Sequence, residues 1–298
     1  MNLPILIKRS AVIQKRALDG VRYLTEQRML FIGLCVLLSL VLIGPIGSLF
    51  IDVTLHRPLS GAFSAPPSST LPLGTDTQGR NIFAVIVAGV PLTLKVAFLA
   101  GSLGLTIGAV LGFVAGYVGG VVDTVIRTAS DVLITIPTIL ILVVVAVSIK
   151  GLMSIDAMAI TIALMAWMGP ARVIRSQVLT LREKAYVDVS KASGMNDFEV
   201  MWKELLPNML PFLAASFVNA VIIAVLSAVG LQALGLGPTD APTMGMTIHW
   251  ALDHGAVLAG MWWWWMPPLT VIMILFIGLY LVATGLDEIA NPRIGHSS

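Results

Sequence analysis

His249, Asp253 and His254 are side chains of the kind that ligate zinc, and His249 and Asp253 at i,i+4 would share one helical face. A zinc site needs a third ligand converging on the same point. None stands at that spacing, so these residues are expected on a solvated outer loop. No glycine-rich loop ending in Lys-Ser/Thr occurs, so the chain is not expected to bind ATP itself. No nucleophile stands beside a base in a pattern fit for catalysis. The single cysteine, Cys35, lies in an apolar run and is expected as a buried, inert thiol. The chemistry that remains is recognition, and it is concentrated in the polar segment from Arg182 to Pro207.

That segment reads REKAYVDVSKASGMNDFEVMWKELLP. Ala185 to Ser193 can form a helix with Ala185, Val189 and Ala192 on one face. Gly194 offers the left-handed turn that glycine takes without steric penalty. Asn196, with Glu199 three residues on, has the pattern of a capping box opening a second helix. There Phe198, Met201, Trp202 and Leu205 fall at i, i+3, i+4 and i+7, an apolar stripe, and Pro207 is expected to end the helix. Two short amphipathic helices hinged at a glycine make a compact knob, flanked by basic residues.

The elements that must carry this knob are apolar. A mean hydropathy of +0.93, with 57% hydrophobic and only 11% charged residues, excludes an ordinary soluble domain. Stretches of about 20 apolar residues are long enough to cross a bilayer. They predict six transmembrane helices, Met29 to Phe50, Leu92 to Val118, Thr128 to Ile149, Ile155 to Ile174, Leu210 to Gly235 and Met266 to Ala283. The first run starts too far behind a basic leader for a removable signal peptide. Of the 18 Lys and Arg residues, 14 fall on one side: six before the first span, Arg127, six around Arg172 to Lys203, and Arg293. Arg57, Arg80, Lys95 and Lys150 fall on the other. By the positive-inside rule both termini and the knob are cytoplasmic. The expected organisation is a cytoplasmic segment 1–28, a first span 29–50, an outer segment 51–91, a core of five spans over 92–283 with the loop 182–207, and a cytoplasmic tail 284–298.

Several residues within the spans carry information. Ala100, Gly104, Gly108, Gly112 and Gly116 form a ridge of small residues that lets another helix approach closely, within the chain or between chains. Asp131 and Lys95 are ionisable at membrane depth, where such groups by default face the bundle interior or a water-filled path. Arg127, one turn before Asp131, is the expected i,i+4 partner. Pro137 and Pro170 are expected to kink their helices. Trp262 to Trp265 read as an interfacial aromatic belt anchoring the chain in lipid.

The knob resembles the coupling loop of ATP-binding-cassette importer permeases. Their pattern is Glu-Ala-Ala, three residues, Gly, and a Leu-Pro about a dozen residues later. Asp188-Val189-Ser190, Gly194 and Leu206-Pro207 stand at those places. Leu73-Gly74-Thr75-Asp76 with Gly79-Arg80-Asn81 is similar to the signature before the second span in dipeptide, oligopeptide and nickel importer permeases of the C type. Leu234 to Gly237 with Pro238 and Pro242, and Asn291-Pro292-Arg293, match further marks of that family. The chain departs from it at Asn81, Pro91, Ala228, Met244, Asp287 and Asn291.

The resemblance implies an all-α polytopic membrane protein with the type I importer permease fold, in a bacterial inner membrane. It implies a non-catalytic subunit forming half of a path for di- or oligopeptides, with nickel, glutathione or an opine-like compound as alternative cargo. The implied partners are a second homologous permease, two cytoplasmic ATPases that hold the ATP and Mg²⁺, and an extracytoplasmic binding protein. No cofactor and no nucleic acid is implied for this chain. Coupling would fall to Ala185, Asp188, Val189, Ser190, Gly194, Phe198, Met201, Trp202, Leu206 and Pro207. Docking or gating on the outer side would fall to Gly74, Thr75, Asp76, Gly79 and Arg80. The rival reading, an ion-driven transporter acting alone, predicts internal repeats and broken helices with paired polar groups, and no repeat is evident.

Overall fold

The computed structural model describes residues 27–149 and 153–290. The basic residues before Arg28, Lys150 and the Asn291-Pro292-Arg293 ending lie outside the described residues. Among the described residues there are ten longer helices, α1 (Arg28–Gly47), α2 (Ile82–Val118), α3 (Gly120–Thr135), α4 (Thr138–Ser148), α5 (Ile155–Ala166), α6 (Met168–Arg182), α7 (Ala185–Ala192), α8 (Asp197–Ala233), α9 (Met244–Asp253) and α10 (Trp262–Ala290), and a short 3-10 helix at Val53–His56. No strand occurs among the described residues, only an isolated bridge between Thr75 and Asn81. The expected all-α membrane architecture is the one observed.

Four helices, α1, α2, α8 and α10, are each long and apolar enough to cross a bilayer; six spans result if the bent pairs α3–α4 and α5–α6 each count as one. Both bends lie where proline predicts them. α3 and α4 meet at 87° across Pro137, and α5 and α6 at 42° just before Pro170. Proline lacks the N–H and its ring collides with the preceding turn, so the helix breaks there.

α2 is the spine, 37 residues long, or about 55 Å at 1.5 Å per residue. It begins ten residues before the expected span because Asn81 caps it, its side-chain oxygen accepting from Phe83 N at 2.9 Å and Ala84 N at 3.2 Å. Asn81 replaces the family's Asp, and the two residues cap equally well. The small-residue ridge resolves as an intrachain contact. A Cβ on Gly104 would meet Ala166 Cβ at 2.7 Å, one on Gly108 the Trp167 oxygen at 2.6 Å, and one on Gly112 the Ala171 oxygen at 2.7 Å. Those partners follow one another along α5 and α6, which therefore run parallel to α2.

α1 packs against α10 through glycine: a Cβ on Gly33 would meet Val282 N at 2.7 Å, and one on Gly285 would meet Leu30 N at 2.7 Å. Only one flank of α1 is covered, so Cys35 is exposed on the other, against the expectation of a buried thiol. The tryptophan run is also not a simple lipid belt. Successive residues on a helix point about 100° apart, so the run divides among several faces. Trp264 is fully buried, Trp263 Nε1 donates to Thr75 O at 3.1 Å, and Trp262 remains 49% exposed.

Candidate functional site

The knob stands at the end of the bundle where α2 and α6 finish. α7 closes with a complete Schellman turn: Gly194 N donates to Lys191 O at 3.0 Å, Met195 N donates to Ser190 O at 3.2 Å, and Gly194 has φ +89°. The capping box then forms as the sequence implies. Asn196 Oδ1 accepts from Glu199 N at 2.9 Å, and Glu199 Oε2 accepts from Asn196 N at 3.2 Å. Lys203 pairs with Glu199 at 2.9 Å.

Pro207 does not end the second helix. Asp197 to Ala233 is continuous, and Val200–Leu205 widens to a π turn in which Leu206 N reaches Met201 O. Widening the turn ahead of Pro207 relieves the collision of its ring with the carbonyl four residues back. The rotation splits the expected apolar stripe. Leu205 turns inward with Val200, both fully buried, while Phe198 and Trp202 stay outward at 73% and 63% exposure. Phe198, Met201, Trp202 and Leu206 line a hollow of about 260 Å³ with Val110 and Phe113 of α2.

On α7 the exposed face carries Ala185, Asp188, Val189 and Ala192, with Ser190 half-buried at its edge. The inward anchor is Val187, which the sequence reading missed. It joins Val200, Leu205, Met209, Phe113, Ile174 and Val178 in one buried cluster. Only tertiary packing distinguishes it from Val189. Two polar clasps reinforce this join. Tyr117 at the end of α2 donates to Asp197 at 2.6 Å, and Arg182 Nη1 donates to the Gly116 carbonyl at 3.0 Å, satisfying a terminal helix acceptor. The knob is therefore fixed to the bundle on one side and bare on the other.

At the opposite end, the signature residues turn inward. Thr75 and Asp76 are 1% exposed and Arg80 7%. Asp76 Oδ1 accepts from Gln78 N and Arg80 N, each at 2.8 Å. Thr75 Oγ1 donates to Ala62 O at 2.6 Å and accepts from Ala65 N at 2.9 Å. Gly74 and Gly79, at φ +62° and +76°, make turns that other residues resist. Burial pushes the Asp76 carboxyl above the usual carboxylate range, while the bonds from Arg80 and Gln78 and the Arg80 charge pull the other way. The Arg80 guanidinium lies 3.9 Å over the Trp250 ring and is hydrogen-bonded to Gln78. It borders a cavity of about 360 Å³ with Arg57, Asp240 and Trp250. The signature residues brace a cap at this end of the bundle, and Arg80 joins it to the cavity.

Three further expectations change. α9, which carries His249 and Asp253, is a packed helix rather than a solvated loop. Met244, Met246 and Ala251 are buried, and His249 Nδ1 lies 3.2 Å from the Ala233 carbonyl. No metal-ligating group of three or more forms among the described residues. Asp131 pairs with Arg172 of α6 at 3.8 Å rather than with Arg127, because α3 lies against α6. Lys95 pairs with Asp156 at 2.6 Å, both about half exposed, in the first turn of α5.

A bundle of long apolar helices, with a half-bare knob at one end and a braced cap at the other, has the architecture of a multi-pass membrane protein. Residues 108–296 match the family of binding-protein-dependent transport system inner membrane components, and the chain belongs to that family. It is 28% identical over 276 residues to the dipeptide transport system permease protein DppC of Bacillus subtilis, covering 93% of this chain and 85% of that one. It is 27% identical over 273 residues to the oligopeptide transport system permease protein OppC of Lactococcus lactis subsp. cremoris, covering 91% and 92%. Its fold is shared with a chain of the MetNI methionine ABC transporter in an inward-facing conformation, with a TM-score of 0.52 and 22% identity over 70% of this chain and 95% of that one.

Proposed function

We propose that this chain is one of two permease subunits of an ATP-driven importer for di- or oligopeptides in a bacterial inner membrane. Its knob couples the bundle to a cytoplasmic ATPase. The observation that carries this is the division of the knob's apolar residues. Val187, Val200 and Leu205 are spent on the bundle, whereas Val189 and Phe198 are left exposed, at 65% and 73%. A surface held rigidly and left apolar fits a cleft on a soluble partner. The names of relatives that span nearly the whole chain support peptide cargo.

In this reading the knob end is cytoplasmic, and ATP with its Mg²⁺ stays on the ATPases. This chain holds no cofactor and performs no hydrolysis. Closure of the ATPase pair moves the knob. The buried cluster passes that shift to α2, α6 and α8, and the half-path they form with the second permease changes its open side. An extracytoplasmic binding protein delivers cargo at the capped end. Gly194→Pro is incompatible with φ +89°, since proline holds φ near −65°. Val189→Asp places a charge on the bare face. Both are expected to insert normally yet abolish peptide uptake and stimulation of ATP hydrolysis. Normal uptake with normal stimulation in either variant overturns the coupling role.

A further inference from the structure

Where α3 lies along α6, a polar cavity of about 160 Å³ opens, lined by Arg127, Ser130, Asp131, Arg172 and Arg175. Its depth follows from the ridge. The position of Gly112 is set by Ala171 and Arg175, and that of Gly108 by Trp167 and Pro170, so Arg172 lies level with Gly108 to Gly112. At 1.5 Å per residue this is roughly 9–15 Å from the end of α2 at Val118, toward the knob end of the bundle. Ionisable groups on membrane-spanning segments by default face the bundle interior or a water-filled cavity rather than lipid.

The groups are not all neutralised. Arg175 is committed to Asp123 through a two-pronged pair. Arg172 and Asp131 approach only to 3.8 Å and remain 64% and 47% exposed on their side chains. Arg127 lies on the same face one turn below Asp131. Three guanidinium groups against Asp123 and Asp131 leave the cavity net positive. A planar guanidinium fork suits a carboxylate in two-point contact. The volume holds a carboxylate with a few waters, given about 30 Å³ per water.

We propose that this cavity is a transient site in the path for the carboxylate end of the cargo, with Arg172 and Arg127 as its ligands. Asp131 holds Arg172 in place and, by its own charge, keeps the affinity low enough for release. This rests on the peptide reading above. The plain alternative is a brace between α3 and α6, and the two differ in sign at one member of the pair. A brace loses equally when either partner is removed. An anion site is weakened by Arg172→Gln but made more positive by Asp131→Asn.

The test is maximal uptake of a free-acid tripeptide by the complete importer in proteoliposomes, at matched amounts of assembled complex. Arg172→Gln is expected to lower uptake about tenfold, the effect of losing one charge-assisted hydrogen bond. Asp131→Asn is expected to leave half-saturation by the delivering protein unchanged and to lengthen peptide residence in a single-turnover chase. Equal losses in uptake for both variants, without longer residence in Asp131→Asn, overturn the site in favour of a brace. Unchanged uptake in Arg172→Gln overturns it outright. A wild-type importer that moves no peptide overturns the cargo reading, and this inference with it.

Discussion

Val187 and Val189 differ by two positions and have opposite duties. Val187 is fully buried among α2, α6 and α8 residues, and Val189 projects outward. Val187→Ala removes two methyl groups from a closed cluster and should cost about 1–2 kcal/mol, read as a lower midpoint of thermal unfolding in detergent. Val189→Asp should leave that midpoint unchanged. Gly108 tests the ridge in the same way. A Cβ there meets the Trp167 oxygen at 2.6 Å and Pro170 Cβ at 2.8 Å, so Gly108→Val should destabilise by about 1–3 kcal/mol through overpacking. Arg80→Gln removes the cation over Trp250 and the charge beside buried Asp76. Uptake should fall only as far as the amount of folded protein falls, measured by size-exclusion recovery. A loss of uptake at full recovery would instead assign Arg80 a direct part in docking. These distinctions were not legible in the sequence, because residue type and spacing say that an aliphatic side chain is buried somewhere without saying against what.

Elements were more legible where a backbone rule fixes them. Gly194, Asn196 and Glu199 specify a Schellman turn and a capping box by themselves, and both form as the spacing requires. Asn196→Ala should cost about 1 kcal/mol at the start of α8, seen as faster hydrogen exchange at the amides of Asp197 to Glu199. The proline readings were mixed for a physical reason. At Pro137 the backbone of Ile136 leaves the helix and the two segments bend by 87°, whereas Pro207 is absorbed by the π turn before it. Proline therefore marks a disturbance without choosing between a bend and a widened turn. Pro207→Ala should let residues 200–205 rewind to α geometry. Phe198 would swing by about one residue step of 100°, and spin labels at positions 198 and 110 would report a changed distance. α9 is hard to recognise from sequence because the polar His249 and Asp253 share a short helix with Met244, Met246 and Ala251, whose burial decides it.

Across the described residues, hydropathy located the four long apolar helices and the two bent pairs, and the motifs marked the knob and the cap, but these two ends are joined by one element that hydropathy divided. The expected second span started at Leu92, yet α2 runs unbroken from Ile82, beside the signature, to Val118, beside the knob. Asn81 fixes its first turn, and Arg182 and Asp197 hold its last. A rod anchored at both extremities acts as a lever arm. Pivoting about its midpoint by about 5° would carry each tip roughly 2.4 Å in opposite directions, given a length near 55 Å. In the importer proposed above, arrival of a loaded receptor at one face and nucleotide turnover at the other would then be two handles of one bar.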